Sequence, residues 1–157
     1  MRSDILIVQP DTEQSTVMRA LLESYGHCVS EAASIDTAQA AVHDVRPDAV
    51  IIHWSNWLAA NQFFESSVRT NGHSSCAAII TARDSELSDA MTALEIGYDD
   101  CVRVPINETE LLARLSACLR RKQETNDDEL AVGPLHLDRK EHSLRVDGKP
   151  VQLAPTE

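Results

Sequence analysis

The sequence predicts an α/β domain with a doubly wound, five-stranded parallel sheet, followed by a short antiparallel β-meander. Three observations predict it. Apolar, largely β-branched runs without polar alternation stand at residues 5–8, 49–52 and 77–80, the pattern of strands covered on both faces. Stretches with apolar residues at helical spacing separate and follow these runs. Beyond residue 129 the apolar period falls to two, as in strands with one covered face.

The elements follow in order. After the first strand, Asp11 with Gln14 fits a capping box. It opens a helix whose inward face carries Val17, Met18, Leu21, Leu22 and Tyr25 and which Gly26 stops. Cys28 and Val29 form a weaker strand. Ser34 caps a second helix with Ile35, Ala38, Ala41, Val42 and Val45 inward, ended ahead of Pro47. The strand at 49–52 follows, then a third helix marked by Phe63, Phe64 and Val68. After the strand at 77–80, Leu87, Met91 and Leu94 mark a fourth helix closed by Gly97. Cys101, Val102, Arg103 and Val104 make the fifth strand. Asn107 with Glu110 is another capping box. The helix it opens carries Leu111, Leu112, Leu115 and Leu119 and ends in Arg120, Arg121 and Lys122, cations that suit a helix carboxyl end. Strands and helices alternating in this way connect by right-handed crossovers.

Residues 123–129 are polar and acidic and read as a linker. In the tail, Leu135 with Leu137, Leu144 with Val146, and Val151 with Leu153 flank polar residues, and Asp147-Gly148 signals a hairpin. Residues 130–157 are too few to bury a core of their own.

Composition narrows the function classes. The 157 residues are 43% hydrophobic and 25% charged, which excludes a disordered or collagen-like chain. No apolar run approaches the roughly 18 residues of a membrane span, and no signal peptide is expected, because Met1-Arg2-Ser3-Asp4 leads into only four apolar residues. Cys28, Cys76, Cys101 and Cys118 have no paired spacing and read as reduced packing thiols of a cytoplasmic protein. The net charge of −11 works against non-specific nucleic-acid binding. His27, His43, His73, His136 and His142 share no ligand spacing, so no metal and no cofactor are expected.

Certain residues at the ends of these elements carry a resemblance. They are Pro47-Asp48 before a buried strand, Thr81-Ala82-Arg83 after the fourth, Gly97-Tyr98-Asp99-Asp100 before the fifth, and Pro105 closing it. In this order and spacing the chain from 4 to 121 resembles a response-regulator receiver domain. Glu110-Leu111-Leu112-Ala113-Arg114-Leu115 with Arg120-Arg121 is similar to the last helix of the OmpR/PhoB-type subfamily. Gly133-Pro134-Leu135-His136-Leu137-Asp138, the hairpin, and Leu153-Ala154-Pro155-Thr156-Glu157 are similar to the opening sheet of that subfamily's winged-helix DNA-binding domain. The resemblance implies a flavodoxin-like receiver over 1–122, an acidic linker over 123–129, and over 130–157 the amino-terminal meander of a winged-helix domain left incomplete at Glu157.

By resemblance, a receiver takes a phosphoryl group on an Asp at the end of the third strand. Acidic residues after the first strand hold Mg²⁺. The ion and a Lys after the fifth strand neutralise the transferring group, and a hydroxyl after the fourth bonds its oxygens. Here the acceptor position is His53 and the acidic pair reads Gln9-Pro10, with a carboxylate only at Asp11. The Lys position is Val104, the aromatic switch position is Cys101, and the hydroxyl is kept as Thr81. Acceptor, metal ligands and cation are altered together. His53 reads either as an unusual acceptor or pH-sensitive switch, or as an imidazole filling the vacated pocket. The second is favoured because no neighbouring cation is evident. Trp54 and Trp57 either seal that pocket or offer a surface to a partner.

The resemblance also implies a two-fold dimer through charged residues on the fourth helix, fifth strand and fifth helix. Asp99, Asp100, Arg114 and Arg121 match that face, while Ala90, Met91 and Ser116 do not supply the charges common there. A weakened homodimer is expected. The resulting expectation is an atypical, phosphorylation-independent response regulator of transcription and not an enzyme. Its partners would be a histidine kinase or a related regulator, DNA once the winged helix is completed beyond Glu157, and no membrane. Two alternatives stand beside it: a decoy that dimerises with intact regulators or binds a kinase, and a phosphorelay protein with a non-standard acceptor.

Overall fold

The computed structural model describes residues 2–8, 12–54, 61–63, 76–132, 135–138, 143–146 and 149–151. Two compact units divide the chain, Met1–Leu119 and Arg120–Glu157.

The elements are β1 (Asp4–Val8), α1 (Thr12–Ser24), β2 (Cys28–Ala32), α2 (Ile35–Val45), β3 (Ala49–His53), β4 (Ala77–Arg83), a 3₁₀ turn (Asp84–Glu86), α3 (Leu87–Glu95), β5 (Asp100–Val104) and α4 (Glu108–Asp128). The five strands form one sheet in the order β2-β1-β3-β4-β5, with every pair parallel. This is the doubly wound sheet that the unbroken apolar runs imply, and β3 is buried at all its positions. Residues 61–63 are helical and Phe63 is fully buried; Phe64 and Val68 lie outside the described residues.

Alternation along the strands sorts the core into two layers. On one face Leu6, Val8, Val50, Ile52, Ala78 and Ile80 pack with α2 and α3 through Ala38, Val42, Ala90 and Ala93. On the other, Ile5, Ile7, Ile51, Ile79 and Val102 pack with α1 and α4 through Met18, Leu22, Leu111 and Leu115.

The helix faces differ in detail from the sequence reading. Val17 and Tyr25 are 62% and 63% exposed and Met91 is 56% exposed, while Ala90 and Ala93 are fully buried. One helical stripe seats only the residues within about a third of the circumference. On α1 that stripe falls on Met18 and Leu22. On α3 it falls on two methyl groups, which bring the helix close to the sheet. Ser34 caps α2 in a full capping box with Thr37. The Asn107 carboxamide accepts from the Glu110 N–H at 3.0 Å, but the Glu110 carboxylate reaches forward to Arg114. Asp11 lies outside the described residues.

Two aspartates tie down the amino ends of the strands. Asp48 accepts the Asp4 N–H on its carboxylate at 2.8 Å and donates its own N–H to the Asp4 carbonyl. Asp99 repeats the arrangement, with its carboxylate accepting the Ala78 N–H at 2.8 Å and its N–H donating to the Ala78 carbonyl.

The expected linker is corrected: α4 runs on to Asp128 instead of ending at Lys122. Residues 123–128 have no apolar period because a helix can continue on propensity and local charge pairing alone. Arg120 approaches Glu124 at 4.0 Å, one turn on. In the second unit β6 (Glu129–Val132), β7 (Leu135–Asp138), β8 (Ser143–Val146) and β9 (Lys149–Val151) form an antiparallel sheet in sequence order. Leu137 pairs with Leu144, and Leu144 with Val151. Pro150, which lacks an N–H, sits on the edge strand β9, where that lack is tolerated.

Candidate functional site

In an open α/β sheet the working crevice lies beyond the carboxyl ends of the strands, where neighbouring connections diverge to opposite faces. In this strand order that point falls between β1 and β3. His53 closes β3 and is 4% exposed. Thr81 stands beside it in register on β4 and is fully buried. Val104 closes β5, is buried, and precedes Pro105 across a cis peptide bond. By alternation all three belong to the α1 and α4 side of the sheet. Gln9, Pro10 and Asp11 lie outside the described residues.

The Thr81 hydroxyl is buried without a hydrogen-bond partner among the described residues. A buried hydroxyl without a partner costs free energy. The sequence reading missed a cation nearby. Arg83, two residues beyond Thr81 on the same face, is in register with Val104. It lines a hollow of about 480 Å³ with Gln14, Asp84, Ser85, Val104 and Pro105. Its guanidinium lies 4.0 Å from Glu86 and its side chain is more than half exposed. The neighbouring Asp84 pairs with Arg103 at 3.0 Å. The period-two pattern of β4 carries the signal for Arg83, since 79, 81 and 83 must share a face.

Trp54 neither seals this crevice nor offers a surface. It is buried in the core layer beneath α2 and α3, on the sheet face opposite His53. Trp57 lies outside the described residues.

The charged residues singled out for a dimer face separate into different roles. Asp99 is half-buried, and its carboxylate accepts from the β4 backbone. Arg114 donates to both carboxylate oxygens of Asp100, at 2.9 and 3.1 Å, and its Nε donates to Glu110 at 2.9 Å. This pairing lies within one chain. The bonds to Asp100 and then Glu110 raise the Arg114 guanidinium above its ordinary value and keep it charged. Cys101 beside them is half-buried, and burial, then the Asp100 charge, raises its thiol. Arg121 lies exposed on α4. All four cysteines are free thiols. Among the described residues no group of three or more His, Cys, Asp or Glu is placed to hold a metal ion, and no helix is long and apolar enough to cross a membrane.

Comparison with known proteins extends this picture. No protein-family model matches the chain. The chain is 32% identical over 158 residues to the phosphate regulon transcriptional regulatory protein PhoB of Pseudomonas aeruginosa, covering 98% of this chain and 68% of that protein. It is 31% identical over 160 residues to the protein of the same description from Rhizobium meliloti, covering 100% and 70%. Among solved structures, a response regulator receiver domain protein from Clostridium thermocellum superposes with a TM-score of 0.69 at 21% identity, over 78% of this chain and 98% of that one. NtrX from Brucella abortus gives a TM-score of 0.74 at 20% identity, over 81% of this chain and 28% of that one. These two likenesses speak to the fold alone.

Proposed function

This chain belongs to the two-component response regulators of the OmpR/PhoB type, and we propose that within that family it works without phosphorylation. The observation that carries the reading is the set of side chains at the strand ends: an imidazole at His53, a hydroxyl at Thr81 and an isopropyl group at Val104. Phosphoryl transfer to a carboxylate is driven by positioning and by cations aimed at the transferring oxygens. Val104 supplies no charge. Arg83 faces Glu86 and solvent, where screening weakens it. A phosphoryl group on His53 would have no committed cation beside it.

The output is transcriptional, by family, and residues 130–157 are the opening sheet of a winged-helix DNA-binding domain. Residues 1–122 are proposed as the receiver. The partners are a second copy of the chain and a histidine kinase or related regulator, in the cytoplasm. The dimer uses α3, β5 and α4, where Met91 is exposed and Asp100, Arg114 and Arg121 supply charge. Because Asp100 and Arg114 already pair within one chain, exchange across a dimer adds little, and association stays weak.

The test of the first claim is incubation with acetyl phosphate and Mg²⁺, followed by intact mass and amide NMR. No phosphoryl adduct is expected, and His53→Asp alone gains none, because Val104 remains. An adduct on the native chain overturns the proposal. For the dimer, light scattering on a concentration series is expected to show weak association. Asp100→Arg or Arg114→Asp should each weaken it several-fold, and the double exchange should restore part. A strict monomer throughout argues against this face.

A further inference from the structure

Two donors without acceptors stand at the carboxyl end of β4. Among the described residues the Arg83 guanidinium donates no hydrogen bond. The Glu86 carboxylate it faces stands 4.0 Å away, beyond hydrogen-bond reach, and one oxygen of that carboxylate already accepts the Arg83 backbone N–H at 2.8 Å. Next inward on the same strand face, the Thr81 hydroxyl is fully buried and unpartnered among the described residues. Arg83 lines the hollow of about 480 Å³, with Ser85 beside it and Val104 and Pro105 as its aliphatic wall. The other carboxylate of the lining, Asp84, is occupied by Arg103 at 3.0 Å.

These groups select an occupant. Guanidinium and hydroxyl donors are satisfied by oxygen lone pairs, and a planar guanidinium matches a carboxylate. Ammonium groups are repelled by Arg83. Phosphate brings up to two charges to one exposed cation in a chain of net charge −11, and it sets ionic oxygens against Val104 without hydrogen bonds. A carboxylate carries one charge, and an alkyl chain attached to it covers the aliphatic wall. The volume falls in the range of small-molecule sites, which combine apolar lining with a few placed polar groups. We propose that this hollow binds a small aliphatic carboxylate, with its oxygens on the Arg83 guanidinium and the Thr81 hydroxyl and its alkyl chain along Val104 and Pro105.

The inference rests on the phosphorylation-independent reading, since it gives the crevice to a non-covalent ligand, and it supplies that reading with an input. The two fail separately. A phosphoryl adduct from acetyl phosphate with intact carboxylate binding removes the reading alone. No adduct and no carboxylate binding removes the inference alone.

The experiment titrates the full chain without Mg²⁺ at neutral pH with hexanoate, acetate, hexylamine and inorganic phosphate, following side-chain NMR. Hexanoate should saturate at one site in the millimolar range, with shifts at the Thr81 and Val104 methyl groups and the Arg83 Nε–H. Acetate and phosphate should each bind about tenfold more weakly and hexylamine not at all. Arg83→Gln should weaken hexanoate about tenfold. Its side chain is more than half exposed, so its thermal melt should match the native chain. Thr81→Val keeps the shape of the side chain, removes the hydroxyl, and should weaken hexanoate about fivefold. Binding of hexylamine as tight as hexanoate overturns the proposal, as does phosphate binding tighter than hexanoate. Affinity unchanged in Arg83→Gln or in Thr81→Val overturns it too, as do hexanoate shifts spread over the other arginines.

Discussion

The two ends of the parallel sheet are built from similar polar residues put to opposite uses. At the amino ends, Asp48 and Asp99 each close a ring of two backbone hydrogen bonds onto the neighbouring strand. The N–H groups of Asp4, Asp48, Ala78 and Asp99 each have an acceptor there. At the carboxyl ends, Thr81 keeps a buried hydroxyl without a partner among the described residues, and Val104 ends β5 in a buried aliphatic group. The first arrangement spends polarity on holding strands in register. The second leaves polarity uncommitted. An end whose hydrogen bonds are closed serves the fold, and an end with open ones is where a ligand or a changed residue can act.

The comparison is tested most strongly at Asp99. Asp99→Ala leaves the buried Ala78 N–H without its acceptor, and a loss of about 2 kcal/mol is expected in urea unfolding. Thr81→Val should behave in the opposite sense. It deletes a hydroxyl that has no described partner, and a gain of up to about 1 kcal/mol is expected. A loss at Thr81 comparable to that at Asp99 would break the distinction between the two ends.

The smallest effect is a dependence on pH at His27, just ahead of β2. Burial holds its imidazole below the ordinary value of about 6.5. As pH falls through that value the unfolded chain takes up the proton first, so stability drops below it. His27→Asn should flatten that slope, read as the difference in urea midpoints between native and variant at about pH 7.5 and about pH 5.5.

Much of the fold was legible because burial on both faces leaves a direct trace. All of β3 is buried, and its five positions are alanine, valine, isoleucine, isoleucine and histidine. The strand-end residues were legible for the same reason, since the ends of such runs can be counted. Three features were not. Ala90 and Ala93 carry the contact of α3, but a methyl group gives no signal beside Met91. Asp99 and Asp100 are adjacent and chemically alike, yet one bonds the β4 backbone and the other Arg114, and nothing in their composition separates them. Continuation of α4 through 123–128 was hidden because a solvated helix and a polar linker share a composition.

The close seating of α3 has a dynamic consequence. This nine-residue helix is fixed to the sheet through Ala90 and Ala93, with Leu87 and Leu94 only partly buried. Methyl groups bury little area, so lifting the helix away exposes far less apolar surface than disturbing any strand. Its amides should exchange with solvent through a local opening that leaves β4 and β5 protected. Among the described elements α3 is therefore expected to detach and reseat while the sheet stays intact.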